Sequence, residues 1–251
     1  MIETKHISKR FENKEVIKDI NMVFERGKTN LIIGPSGSGK TVLMKCIVGL
    51  LEIDEGEILF DNRLFNKMDF YEKKTIRQEM GMMFQGGALF DSLTVEENVM
   101  FPITMFTKQS FAERLDRVNF CLKRVNLDNV NKLYPAELSG GMKKRVAIAR
   151  AISMNPRYLF CDEPNSGLDP KTSIVIDNLI SEITQEYGMT TIINTHDMNS
   201  VIEIGDKIAF IYSGKLWWVG DKHEILRTDN EELNSFVYAT ELTRRLKKGP
   251  L

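Results

Sequence analysis

Between an apolar run, Thr29 to Ile33, and a stretch with helical spacing, Lys40 to Leu50, the chain carries Gly34, Pro35, Ser36, Gly37, Ser38, Gly39, Lys40 and Thr41. These residues fit G-x-x-x-x-G-K-[ST], with the strand before and the helix after that the pattern requires. Few architectures tolerate such a turn. Its glycines let backbone N–H groups converge ahead of a helix N-terminus, and the strand behind it must lie in a sheet covered on both faces. The convergence suits the β- and γ-phosphates of ATP. Lys40 adds a point charge, and the Thr41 hydroxyl is placed to ligate Mg²⁺. A chance glycine turn is the alternative, and the flanking strand and helix weigh against it.

The rest of the chain alternates in the same way. Ile2 to Ser8, Val16 to Phe24, Glu57 to Phe60 and Met80 to Phe84 read as strands, and so do Tyr158 to Cys161, Thr190 to Asn194 and Lys207 to Tyr212. From about Leu93 to Ile152 the pattern turns helical, with Phe111, Leu115, Val118 and Leu122 on one expected face. Two short helices are expected after Gly220. The prediction is one α/β domain over 1–251, a mostly parallel sheet covered on both faces. No internal repeat or linker divides the chain.

A second apolar strand, Tyr158 to Cys161, ends in Asp162 and Glu163. An aspartate at the carboxyl end of a strand beside a phosphate loop can help hold Mg²⁺, and Glu163 is then the candidate to polarise an attacking water. A solvated acidic pair is the other reading. His196, after the strand Thr190 to Asn194, is a candidate γ-phosphate contact, although a lone histidine after a strand carries little signal. Ser139 precedes Gly140, Gly141 and Met142 and a helix with Lys143, Lys144 and Arg145, so Ser139 is an expected N-cap. Taken alone, that segment is a capped helix.

Taken together, these segments resemble the ABC ATPases: Walker A at Gly34 to Thr41, the signature at Leu138 to Met142, Walker B at Tyr158 to Glu163, a D-loop at Ser166 to Asp169, and a switch histidine at His196. The resemblance implies an N-terminal antiparallel β subdomain, a nucleotide-binding core over 1–88 and 157–220, a helical subdomain over 89–156 and a C-terminal helical extension over 221–251. It also implies that Gln85 senses Mg²⁺ and water, and that Phe11 stacks on adenine. Such proteins bind two ATPs between two subunits, each held by Walker A of one chain and the signature of the other, so a homodimer working with integral membrane permease subunits is implied. Met142 stands where many members carry glutamine, and Asn165 where Thr is frequent. Neither position supplies phosphate chemistry.

Within the family, Phe84 to Val99 and the basic residues after the signature resemble the Mla-type ATPases of bacterial phospholipid transport. That likeness implies a periplasmic MCE-type lipid-binding partner, a small cytoplasmic regulatory subunit and a place on the cytoplasmic face of the inner membrane. Leu89, Phe90 and Leu93 would then form a groove for a coupling helix of the permease, or else simply pack the helical subdomain. An importer of amino acids or other solutes shares all five motifs. A soluble ABC ATPase that assembles iron–sulfur clusters is a third reading, and a DNA-repair machine would need a long coiled coil.

Composition excludes several other classes. Lysine and arginine total 34 against 35 aspartates and glutamates, which gives no general attraction for nucleic acid. Cys46, Cys121 and Cys161 lack metal or disulfide spacing and read as buried thiols in a reducing compartment. The chain opens on a strand pattern without a signal-peptide profile, and no apolar run approaches the ~20 residues of a bilayer span. The expectation is an unexported chain held at a membrane by its partners. Leu233, Phe236 and Val237, followed by Arg244, Arg245, Lys247 and Lys248, read as an amphipathic helix with a basic end. That helix is either a surface helix or a docking element against a sister subunit or a membrane.

Overall fold

The computed structural model describes residues 1–238, so the basic residues Arg244 to Lys248 of the expected tail lie outside the described residues. Strands β1 (Ile2–Phe11) and β2 (Lys14–Phe24) form a hairpin that runs past the expected Ser8 to Phe11. Its two-residue turn has Glu12 in the left-handed region. Strand β3 (Thr29–Ile33) leads through the glycine loop into helix α1 (Lys40–Ile47). This helix stops short of Leu50, where Gly49 turns the chain at φ 74°. Strands β4 (Glu55–Phe60) and β5 (Arg63–Leu64) complete an antiparallel sheet of order β2-β1-β4-β5.

Helix α2 (Phe70–Gln78) and strand β6 (Met80–Met83) precede three helices, α3 (Val95–Phe106), α4 (Phe111–Arg124) and α5 (Gly140–Ile152). Reciprocal caps start α2, α3 and α4: Asp69 with Glu72, Thr94 with Glu97, and Ser110 with Glu113. Val118 and Leu122 of α4 are buried as its periodicity predicts, but Phe111 is exposed because it opens the helix beyond the edge of the core. The chain then alternates through β7 (Tyr158–Asp162), α6 (Pro170–Tyr187), β8 (Thr190–Asn194), α7 (Met198–Ile204) and β9 (Lys207–Tyr212), and turns back as β10 (Lys215–Gly220). Of the two helices expected after Gly220, the described residues contain one, α8 (Glu231–Val237), and the extension beyond residue 238 lies outside the described residues. Residues 221–224 instead form a turn in which the Asp221 carboxylate accepts from the N–H groups of His223 and Glu224.

The second sheet runs β10-β9-β3-β8-β7-β6, parallel except for β10. All residues of β3, β7 and β8 are buried, as continuous apolar strands covered on both faces must be. Alternate residues serve two cores. Ile32, Phe160 and Ile192 pack with α1 and the antiparallel sheet, while Leu31, Ile33, Leu159 and Ile193 pack with the helical side. The predicted α/β class, with its antiparallel subdomain and inserted helices, is the fold observed. No helix among the described residues is long and apolar enough to cross a membrane. All three cysteines are free and buried, and burial pushes their thiols up to about 11 for Cys46 and Cys121 and about 12 for Cys161.

Candidate active site

Four adjacent parallel strands, β3, β8, β7 and β6, end on one edge of the sheet, where open α/β sheets bind ligands. Each delivers a residue singled out in the sequence: the Gly34 loop, His196, the Asp162–Glu163 pair and Gln85. Topology therefore gathers residues that are up to about 160 positions apart in the chain.

The loop is shaped by close backbone approach. Gly34 has φ 148°, and a Cβ there would strike the carbonyl oxygen of Ile211 on β9. At Gly39, φ is 109°, and a Cβ would stand 3.0 Å from the carbonyl oxygen of Val16. Gly39 also starts α1 without a side-chain cap, which leaves the first N–H groups of the helix free to meet an anion. Lys40 is buried, and its Nζ donates to the carbonyls of Gly34 at 2.8 Å and Pro35 at 3.0 Å. Burial lowers its pKa, against the opposing fields of Glu163 and Asp162. Ser38 Oγ is buried without a partner in the same loop.

Asp162, at the end of β7, is buried and accepts from the Asn194 amide at 3.0 Å and from Thr41 Oγ1 at 3.5 Å. Among the described residues no cationic side chain lies within ion-pair distance of it. The buried Asp162 carboxylate and the Thr41 hydroxyl are hard oxygen donors of the kind that fits Mg²⁺, while the Gln85 amide nitrogen contacts Glu163. The residues present therefore suit both the nucleotide and its metal.

Glu163 follows in the left-handed region at φ 49°, an unfavourable backbone state for a residue with a Cβ, with its N–H held by the Asn194 carbonyl at 2.9 Å. Two of the other predicted residues converge on its carboxylate. Gln85 Nε2 donates to Oε2 at 3.3 Å, and His196 Nδ1 stands 3.1 Å from Oε1. A polarised water here would have one acceptor carboxylate, fixed by an amide on one side and an imidazole on the other.

The remaining candidates lie apart. Ser139 caps α5, accepting from the Met142 N–H at 3.3 Å as predicted. A Cβ on Gly140 would meet Leu168 and one on Gly141 would meet Thr172, so the signature segment packs on the loop after Glu163 and on the first turn of α6. Phe11 is 42% exposed at the end of β1, with Lys9 Nζ 5.6 Å from its ring centroid. It belongs to the hairpin whose Val16 and Ile17 abut Gly39.

The segment after Gln85 is held by two residues with no evident role in the sequence. Arg150 of α5 is buried, its pKa lowered by that burial, and donates to the carbonyls of Gly87 at 2.7 Å and Ala88 at 2.8 Å. The Asn98 side chain accepts from the Phe90 N–H at 2.8 Å and donates to the carbonyls of Phe90, Leu93 and Thr94. These bonds border a groove of about 400 Å³ lined by Phe84, Phe90, Phe101, Phe106 and Met154. Of the expected Leu89, Phe90 and Leu93, only Phe90 lines it. Leu89 packs against the helical core instead.

Residues 17–166 match the family model described as ABC transporter. The chain belongs to the ABC transporter family. It is 37% identical to the methionine import ATP-binding protein MetN of Clostridium tetani, over 96% of this chain and 76% of that protein. It is 34% identical to the probable ribonucleotide transport ATP-binding protein mkl of Mycobacterium leprae, over 94% and 68%. Among solved structures it resembles the dimeric ATP-binding cassette MJ0796 bound to ADP and Pi, at a TM-score of 0.80 and 33% identity, covering 88% of this chain and 99% of that one. It also resembles cbiO1 of Clostridium perfringens, part of the ABC transporter complex cbiONQ, at 0.84 and 29% over 98% of both. This ABC ATPase thus hydrolyses ATP in a reaction coupled to transport. These relatives are named for methionine and ribonucleotide transport, not for the phospholipid transport that the resemblance of Phe84 to Val99 implies.

Proposed function

We propose that two copies of this chain close around two Mg-ATP and drive a membrane permease that imports a small solute of the amino-acid class. The observation that carries the cargo class is the extended similarity to methionine importers, which spans the groove-forming segment as well as the nucleotide motifs. In this reading the Gly34–Thr41 loop binds the phosphates, Thr41, Asp162 and Gln85 hold Mg²⁺, and Phe11 stacks on adenine. Glu163 orients the water, with His196 and Gln85 fixing its carboxylate. Ser139, Gly140 and Gly141 complete the site of the other subunit. The apolar groove beside Gln85 receives a helix from the permease, so that movement there reaches the carboxylate through Gln85.

Phospholipid transport with a periplasmic MCE-type subunit and a small regulatory subunit is the second reading, favoured by the sequence of Phe84 to Val99. Both place the chain on the cytoplasmic face of an inner membrane. The test is to solubilise membranes in detergent, identify the permease that comes out with the chain, and reconstitute the pair. ATP-dependent amino-acid uptake that stops with Glu163→Gln supports the importer. Lipid transfer without uptake would replace it with the second reading, and recovery of the chain without any permease would overturn both.

A further inference from the structure

We propose that Lys144 is a positioning residue for hydrolysis, tying the helix that begins at the signature to the loop that carries Glu163. The inference rests on the role given to Glu163 above. Lys144 lies one turn beyond the Ser139 cap on α5 and is 4% exposed. Its Nζ donates to Ser166 Oγ at 3.1 Å, and among the described residues no carboxylate lies within ion-pair distance of it. Ser166 in turn donates its N–H to the Glu163 carbonyl at 3.2 Å, closing the turn that sets the unfavourable φ of Glu163.

A buried ammonium with one neutral hydroxyl is an expensive way to fill space. Beyond the half-buried Arg145, Val146, Ala147 and Ile148 of α5 are buried apolar residues, so the interior behind this helix accepts aliphatic side chains. What the lysine adds is a donor aimed at the loop and a charge within the field of Glu163. Burial lowers its pKa while Glu163 supports the charged form. The approach of Gly140 to Leu168 gives α5 a second contact with the same loop, and that of Gly141 to Thr172 a contact with the first turn of α6 that follows it. Helix and loop therefore move together. In the dimer proposed above, the N-terminus of α5 would face the nucleotide of one site and Glu163 that of the other. Lys144 then links the occupancy of one site to the geometry of the other.

The test compares Lys144→Met, which keeps length and removes donor and charge, with Ser166→Ala and the double variant, each in the full chain bound to its permease. A hydrogen bond to a charged group sets the scale, so kcat should fall about tenfold with KM for ATP moving less than about twofold. The melting midpoint of Lys144→Met should equal or exceed that of the native protein, because an apolar side chain replaces a buried charge. Ser166→Ala should reproduce the loss in kcat, and the double variant should be no slower than either single one. Native kcat in either single variant, multiplicative losses in the double, or a loss of kcat matched by a loss of thermal stability would overturn the proposal. Glu163→Gln is measured alongside. If it abolishes turnover while Lys144→Met does not, only the role of Lys144 falls; if it leaves turnover intact, the reading of the site itself falls.

Discussion

Asp177 on α6 is 2% exposed beside Asn165 and Ser200, and burial pushes its carboxyl up to about 6 from an ordinary 3.8. The Ser200 and Asn165 side chains pull it down, while Asp197 and Glu203 push the same way as burial. Its Oδ1 and that of Asn165 are both buried without a partner. A raised pKa means that the folded protein holds the proton more tightly than the unfolded chain. The resulting stabilisation is complete below about pH 3.8 and is lost as pH rises through about 6. The whole shift corresponds to about 3 kcal/mol, of which about 2 kcal/mol falls between pH 4.5 and 7.5. Asp177→Asn keeps the shape and cannot ionise, so it escapes that loss. Urea unfolding of both proteins at half-unit pH steps should show the variant gaining on the native chain by about 2 kcal/mol across this range. Parallel curves, separated by a constant amount, would refute the assignment.

Two substitutions test the frame around Gln85. Arg150→Met frees the carbonyls of Gly87 and Ala88 and should raise amide hydrogen exchange across residues 84–94, with a cost of about 2–4 kcal/mol in global stability measured by denaturant unfolding. Asn98→Ala removes four hydrogen bonds from a fully buried side chain and should lower stability by about 2–3 kcal/mol, read by calorimetry, while ATP affinity in the Gly34 loop stays within about twofold.

The Gly34 loop, the ends of β3, β8 and β9, and the Ser139 cap were legible because each is written within a few neighbouring residues. Glycines, a cap and an apolar run declare themselves locally. Arg150, Asn98 and Lys144 were not legible in these roles. Arg150 meets Ala88 at a separation of 62 residues, and Lys144 meets Ser166 across 22, so only the fold reveals what they hold. Motif order placed Gln85, Glu163 and His196 in one site, but their convergence on a single carboxylate depends on strand order, which sequence spacing does not encode. Phe111 shows the reverse limit. Helical periodicity identifies a face, but it does not say where the core behind that face ends.

In the mechanism proposed above, each nucleotide site is half supplied by another copy of this chain and Glu163 drives its turnover. Sedimentation of Glu163→Gln with Mg-ATP tests both parts in one experiment. The expected result is a stable dimer holding two unhydrolysed ATPs, which dissociates when Ser139→Phe blocks the signature surface. A monomer that binds ATP without associating, or a variant that continues to release phosphate at the native rate, would contradict it.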